Sequence, residues 1–388
     1  MMHPLLVDFS IFTWMNILNS EDSVISFLTE VQLIPSRDAE VFCSACNSKM
    51  VPWSYKSGKV GFRFVCKNRR KEARCNHIVD PLVNTFFEKT RIPFRDILAI
   101  VFCFVLKLPV TFCLNQISTW RRSRGERDIH PGTTCDWYSY CREVCEVIAS
   151  HNYKELGGRG KTISVDETFL TVRKYHRGRV RESSKVVVLG IFCREDKEGL
   201  FFEVGGKKKK DLWPYIKHFC NPETSIICSD EAKQYSGIEK IFGGETIHKT
   251  TNHSKGEFVS KIDKQNTIND LENQNRLLKC SLKRRRPRDS LYQFMALYFY
   301  RSIFFKNLKF DGERVDVFLK HIRDVYPGPG KEGLKMKTFD EITAESEGIV
   351  NLMPRDRGEG SVIAGLDVSD CGTDSDIEDI DDPDWDKF

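Results

Sequence analysis

No stretch of this 388-residue chain approaches the roughly 18 uninterrupted apolar residues that a membrane helix needs. The richest run, residues 97–108, is a dozen long and suits a buried helix. The opening MMHPLLVDFS lacks the basic segment and small-residue cleavage site of a secretory leader. Internal repeats are missing too, which excludes solenoids and propellers. These absences lead us to expect an intracellular protein with no membrane partner. Hydrophobic content of 40% and charged content of 30% suit globular folding, and the length suggests two or three domains.

Acidic charge is scarce relative to basic charge until the end of the chain. Residues 366–388 hold nine Asp and one Glu against Lys387, a net of −9, so the preceding 365 residues carry +14 within an overall +5. A basic body suits a polyanionic partner. The acidic tail reads as solvated and disordered, and it is also a candidate occupant of a basic channel.

Fourteen Cys in an intracellular chain do not imply a disulfide framework. Most, such as Cys103, Cys113, Cys193 and Cys228, sit singly among apolar residues, where Cys packs as a small hydrophobe. The cluster Cys43-x2-Cys46 with Cys66 and Cys75 differs. A Cys-x2-Cys knuckle plus a second pair from a hairpin can wrap one tetrahedral Zn²⁺, with His77 as an alternative to Cys75 for the fourth ligand. Four such ligands close the site, so this metal would be structural. The neighbouring KNRRKEARC sets basic residues beside it, as a ribbon touching phosphates would.

The chain divides by texture. Residues 1–40 predict two short helices broken near Asn19-Ser20, and residues 41–84 predict the Cys-bearing zinc ribbon. Residues 85–156 predict a helical region in which NQISTWRRSRG, a basic gap and TTCDWYSYCREVCEVI are compatible with a helix-turn-helix or with plain three-helix packing. Residues 157–326 change character. The β-branched and aromatic runs TISVDETFLTV, SKVVVLGIFCRE, GLFFEV and TSIICSD alternate later with helices, which predicts an α/β domain with a mixed sheet. Residues 327–388 turn Gly-, Pro- and acid-rich and are expected to be largely disordered.

Within the α/β segment, Asp166 follows apolar residues in TISVDETF, and Asp230 ends TSIICSDE in the same way. Neighbouring strands can bring such carboxylates together, and Glu272 in NDLENQNRLLK can add a third from a helix. Hard oxygen ligands of this kind suit Mg²⁺ or Mn²⁺ and two-metal phosphodiester chemistry. An Asp at a strand end also serves as a cap, and Glu167, Glu231 and Asp270 lie close enough to compete for these roles.

Four ordered motifs carry a resemblance. VDETFLTVRKYHRGR (165–179) resembles the first-aspartate motif of Merlin-type DNA transposases and their bacterial insertion-sequence relatives. CSDEAKQYSGI, with Tyr235, resembles their second-aspartate motif; TNHSKGEFV (251–259) resembles their Asn-His-Ser element. NDLENQNRLLK resembles the closing segment, with Asn269 three residues before Glu272 and Lys279 seven after it. The resemblance runs over about residues 8–306, the Cys ribbon included. Two departures stand out: Thr267-Ile268 replace the usual His-Thr, and Asn275 replaces a Trp.

The resemblance implies a ribonuclease-H-like catalytic core with a metal triad of Asp166, Asp230 and Glu272. It implies cut-and-paste transposition at terminal inverted repeats by a homodimer or larger oligomer on double-stranded DNA. Lys174, Arg177, Arg179, His253, Asn269 and Lys279 would contact DNA, although the basic run around Arg177 also reads as a solvated hairpin and His253 as a structural residue. The run LKRRRPR (282–288) reads either as a nuclear localisation signal or as a phosphate-contacting extension of the preceding helix. A domesticated DNA-binding derivative and a nuclease without strand transfer are the alternatives.

Overall fold

The computed structural model describes residues 6, 10–69, 75–171, 185–242, 245–251, 268–282 and 288–342. They fall into two compact units. Among the described residues no helix is long and apolar enough to cross a membrane.

One unit comprises residues 1–148 and 308–335. Helices α1 (Ile11–Ile17) and α2 (Glu21–Glu30) break where the sequence suggested, because Ser20 caps α2 by accepting from the Ser23 amide at 3.1 Å. Strands β1 (Val51–Ser54), β2 (Phe62–Val65) and β3 (Ile78–Val79) form an antiparallel sheet in that order. Phe62 and Phe64 of β2 are buried with Val41, Cys43, Met50 and Cys66. That is a very small core for an independent module.

Helix α3 (Phe94–Val105) has 11 buried residues of 12, too many for one stripe, so it runs through the middle of this unit. Trp14 stacks on Phe102 at 5.0 Å, and Phe104 meets Phe318 of a late helix, Asp311–Val325, at 5.4 Å. Residues 308–335 were read from the sequence as the end of the catalytic segment and the start of the tail. They cluster instead with residues 1–148, because Val315, Phe318, Leu319 and Ile322 supply a buried helical stripe. Buried Asp96 on α3 is paired with Arg121 of α4 (Val110–Ser123), as a charge removed from water requires. Helix α5 (Pro131–Ser150) follows after residues 124–130, a longer link than the three or four residues of a helix-turn-helix.

The other unit comprises residues 149–307 and 336–388. Strands β4 (Thr162–Thr171), β5 (Lys185–Cys193) and β6 (Glu198–Val204) make an antiparallel meander. Helix α6 (Lys209–Phe219) leads to β7 (Ile226–Asp230), which runs parallel to β4, and β8 (Ile247–Thr251) lies parallel to β7. The sheet order is β6-β5-β4-β7-β8. The expected α/β class with a mixed sheet is what the structure has. Val186, Val188, Phe192 and Phe201 of the sheet pack with Leu271 and Leu278 of α7 (Asn269–Leu282) and with Leu291 and Met295 of α8 (Arg288–Phe304). The segment from 327, read as largely disordered, holds structure as far as residue 342. Within this unit the Lys337 amide donates to Ser150 Oγ at 3.0 Å, ahead of a short helix, Phe339–Ile342. The acidic residues 366–388 lie outside the described residues.

Candidate functional site

The two aspartates meet because of strand register. Parallel pairing sets Ser164 of β4 opposite Cys228 of β7. Two residues further along each strand stand Asp166 and Asp230, returned by the two-residue alternation to the same side of the sheet. At the end of β7, Asp230 Oδ1 accepts from the Ala232 amide at 3.0 Å, which turns the chain sharply and fixes the carboxylate. An open cleft beside it is lined by Glu231, Ser236, Glu239, His248 and Thr250.

Helix α7 brings Glu272 close enough for its charge to act on Asp166. Leu271 and Leu278 are buried against the sheet, which leaves Glu272 half-buried at the helix edge. One turn on, Asn275 Nδ2 donates to Asp166 Oδ2 at 2.9 Å. Asn269 and Lys279 are exposed and spaced to lie on the side of the helix that Glu272 occupies. The close approach of α7 depends on Gly190, which pairs with Asp166 across β4–β5. A Cβ there would stand 2.9 Å from Leu271 Cδ1, 3.0 Å from Phe201 Cε1 and 3.3 Å from Asn275 Oδ1.

The electrostatics report the clustering directly. Burial, then the charges of Glu167, Asp230 and Glu272, push the Asp166 carboxyl up to about 7. A group in that position holds its proton near neutrality unless a cation compensates the gathered charge. Two of the three competing carboxylates are engaged elsewhere, while Glu231 lines the cleft. Glu167 accepts from Tyr235 Oη at 2.5 Å, from Gln234 Nε2 at 2.7 Å and from Lys207 Nζ at 3.0 Å. Asp270 accepts from Arg194 Nε at 2.9 Å.

With this geometry in place, comparison with known proteins identifies the segment. Residues 155–284 match the family model of the ISXO2-like transposase domain. The segment is similar to DDE transposases. It is one third of the chain, and it contains Asp166, Asp230 and Glu272. This likeness supports a transposase-type enzyme that acts on DNA with a divalent metal. Comparison of the chain with curated proteins finds no match.

Outside the transposase-like segment, the structure gathers Cys43, Cys46, Cys66 and Cys75 with every Sγ within 4.8 Å of the others. Cys43 and Cys75 are 3.6 Å apart, Cys46 and Cys66 3.4 Å. A tetrahedral Zn²⁺ with bonds of about 2.3 Å spaces its thiolates at roughly 3.8 Å, so the donor set fits zinc. Hydrogen bonds from Ser48, then Asn68, lower the Cys46 thiol to about 5. Against a hydrogen bond from the Asn68 backbone, burial and the neighbouring thiols push Cys66 up to about 12, and Cys75 is raised too. A bound cation would have to draw those protons off. His77, the alternative fourth ligand, has Nε2 3.2 Å from Ser44 Oγ instead. Among the described residues these thiols are the one such group of three or more ligand atoms within 4.8 Å; the carboxylate trio is more open.

Sequence reasoning missed Gly190 and the role of Asn275. A glycine inside the apolar run VVVLGIFC was the available signal, since such a residue marks a close approach. Asn275 was noticed as a departure from the family pattern, yet its burial beside two leucines is what makes it informative. Lys174, Arg177, Arg179 and His253 lie outside the described residues, as do residues 283–287 of the basic run.

Proposed function

We propose that this protein is a Mg²⁺- or Mn²⁺-dependent DNA transposase of the Merlin type, with a ribonuclease-H-like core. It would bind terminal inverted repeats, cut at the transposon end and join the freed 3′-hydroxyl to target DNA. The observation that carries the reading is the gathering of Asp230 and Glu272 about Asp166, whose carboxyl is raised to about 7 by burial first, then by Glu167, Asp230 and Glu272. Bound cations would supply Lewis acidity, activating a water or 3′-hydroxyl and stabilising the departing oxygen. Asp166 and Asp230 would hold them from the adjacent strands β4 and β7, and Glu272 from α7. Asn275 holds Asp166 Oδ2 in place by its hydrogen bond. Lys174, Arg177, Arg179, His253, Asn269 and Lys279 would position DNA. The Cys43, Cys46, Cys66 and Cys75 ribbon would take a structural Zn²⁺, with the following helices forming a DNA-binding region. The protein would work in the nucleus as a homodimer or larger assembly.

An end-cleavage and strand-transfer assay in Mg²⁺ and Mn²⁺ tests this. The parent should give joined products, and Asp230→Asn or Glu272→Gln should cut them by about 10³-fold, the scale of losing one charge-stabilising group. Asp270→Asn should stay within a few-fold of the parent. DNA binding without any cleavage would point to a domesticated binding protein. Nicking without joining would point to a nuclease.

A further inference from the structure

The outer face of the small sheet has a composition that its fold does not require. Residues 41–80 hold nine Lys and Arg against Glu72 and Asp80, a net of +7 in forty residues. Phe62 and Phe64 occupy the inner face of β2, so Arg63 and Val65 belong to the outer one. Antiparallel register sets Trp53 directly opposite Arg63 and Val51 opposite Val65. Residues opposite each other share a face, so Trp53 is outward, and it is 51% exposed. Tyr55, two residues on, is 40% exposed.

On that face each ring is paired with a cation. Arg63 lies over the Tyr55 ring at 4.8 Å, and Lys67 Nζ lies over the Trp53 ring at 4.7 Å. An indole turned to water gives up burial worth having in so small a core, and an all-cationic face would suffice for phosphate alone. Flat rings spaced between cations match a ligand that presents both flat rings and phosphates. In a duplex the base faces are stacked on one another and closed to side chains; in an unpaired strand they are open.

We propose that this outer face binds an unpaired DNA strand, with Trp53 and Tyr55 stacking on bases while Arg63 and Lys67 pair with the adjoining phosphates. The inference stands on the sheet of residues 51–79 and is independent of the carboxylate site.

The test uses the full-length chain and fluorescence anisotropy with a labelled 12-nucleotide thymidine strand, and with a mixed-sequence duplex, across a salt series. Trp53→Ala should weaken binding of the single strand by ten-fold or more, as loss of a stacking ring does, and change duplex binding by less than about two-fold. Trp53→Phe should restore most of the loss. Lys67→Met should reduce the slope of log affinity on log salt for the single strand by about 0.7, one phosphate contact. Because Trp53 is exposed, the variants should melt with the parent, which separates lost stacking from lost folding. Equal effects of Trp53→Ala on strand and duplex, or no effect on either, would overturn the proposal.

Discussion

The thiol cluster and the carboxylate cluster collect negative charge by opposite routes. Cys43 to Cys75 spans 33 residues, and a short three-stranded sheet is enough to close the four sulfurs on one another. Asp166, Asp230 and Glu272 are spread over more than a hundred residues and come together through parallel pairing of β4 with β7 and the packing of α7. The thiols belong to a core of six residues, Cys43 and Cys66 among them, so their site holds up its surroundings. The carboxylates sit beside a large sheet core that folds against their mutual repulsion, so there the surroundings hold up the site. Structural and catalytic metal sites in general differ in this way, which fits the roles proposed for the two clusters.

The sharpest way to break that contrast is to remove one member from each side. Cys43→Ser should unfold the sheet of residues 51–79 and expose it to protease, because structural Zn²⁺ sites are worth roughly 10 kcal/mol in small modules. Limited proteolysis with and without added Zn²⁺ reads this out, and an unchanged digestion pattern would deny the metal its role. Asp230→Asn should leave the fold intact while abolishing cleavage.

A smaller effect tests how the sheet positions the carboxylates. Gly190→Ala should cost about 1–3 kcal/mol, the usual range for overpacking, since its methyl group meets buried Leu271 and Phe201. It should also push α7 outward, lengthening the Asn275–Asp166 hydrogen bond. Cleavage at a temperature where the variant is fully folded should therefore fall several-fold. Full activity with reduced stability would mean that Gly190 serves packing alone.

Much of this was legible in the residues, and the reason is local. Runs of β-branched and aromatic residues marked strands of the sheet, and Cys-x2-Cys marked half of the thiol cluster, because each signal lies within a few residues of the structure it specifies. Asp166 was legible as an acid within a strand and Asp230 as one at a strand's end. That they share a side of the sheet depends on register, which no single segment contains. The helix Asp311–Val325 went unrecognised although Val315, Phe318, Leu319 and Ile322 have helical spacing, because the Gly-Pro-rich stretch after it drew the boundary. Its packing on Phe104, over two hundred residues earlier, is a tertiary fact. Gly190 left a signal as a glycine inside a strand, but the neighbours that fill its space, Leu271 and Phe201, belong to other segments and could not be read from it.

The subtlest prediction concerns protons. Unfolded, Asp166 releases its proton near pH 3.8; folded, it keeps it to about 7. Between those values the native state binds more protons than the unfolded chain, so stability should fall as pH rises from 4 to 7 and level off above it. Asp166→Asn removes both the charge and the slope. In protein dialysed free of Mg²⁺, the variant should be the more stable of the two at pH 8 by about 1–3 kcal/mol, the gain expected when a strained site is relieved. The difference should shrink at pH 5. Adding Mg²⁺ should raise the parent's denaturation midpoint at pH 8 and leave that of the variant nearly unmoved. No cation-induced shift in the parent would mean that the carboxylates gather for some reason other than metal. A ribbon held by thiols should ignore Mg²⁺ throughout, so the same titration compares the two clusters within one molecule.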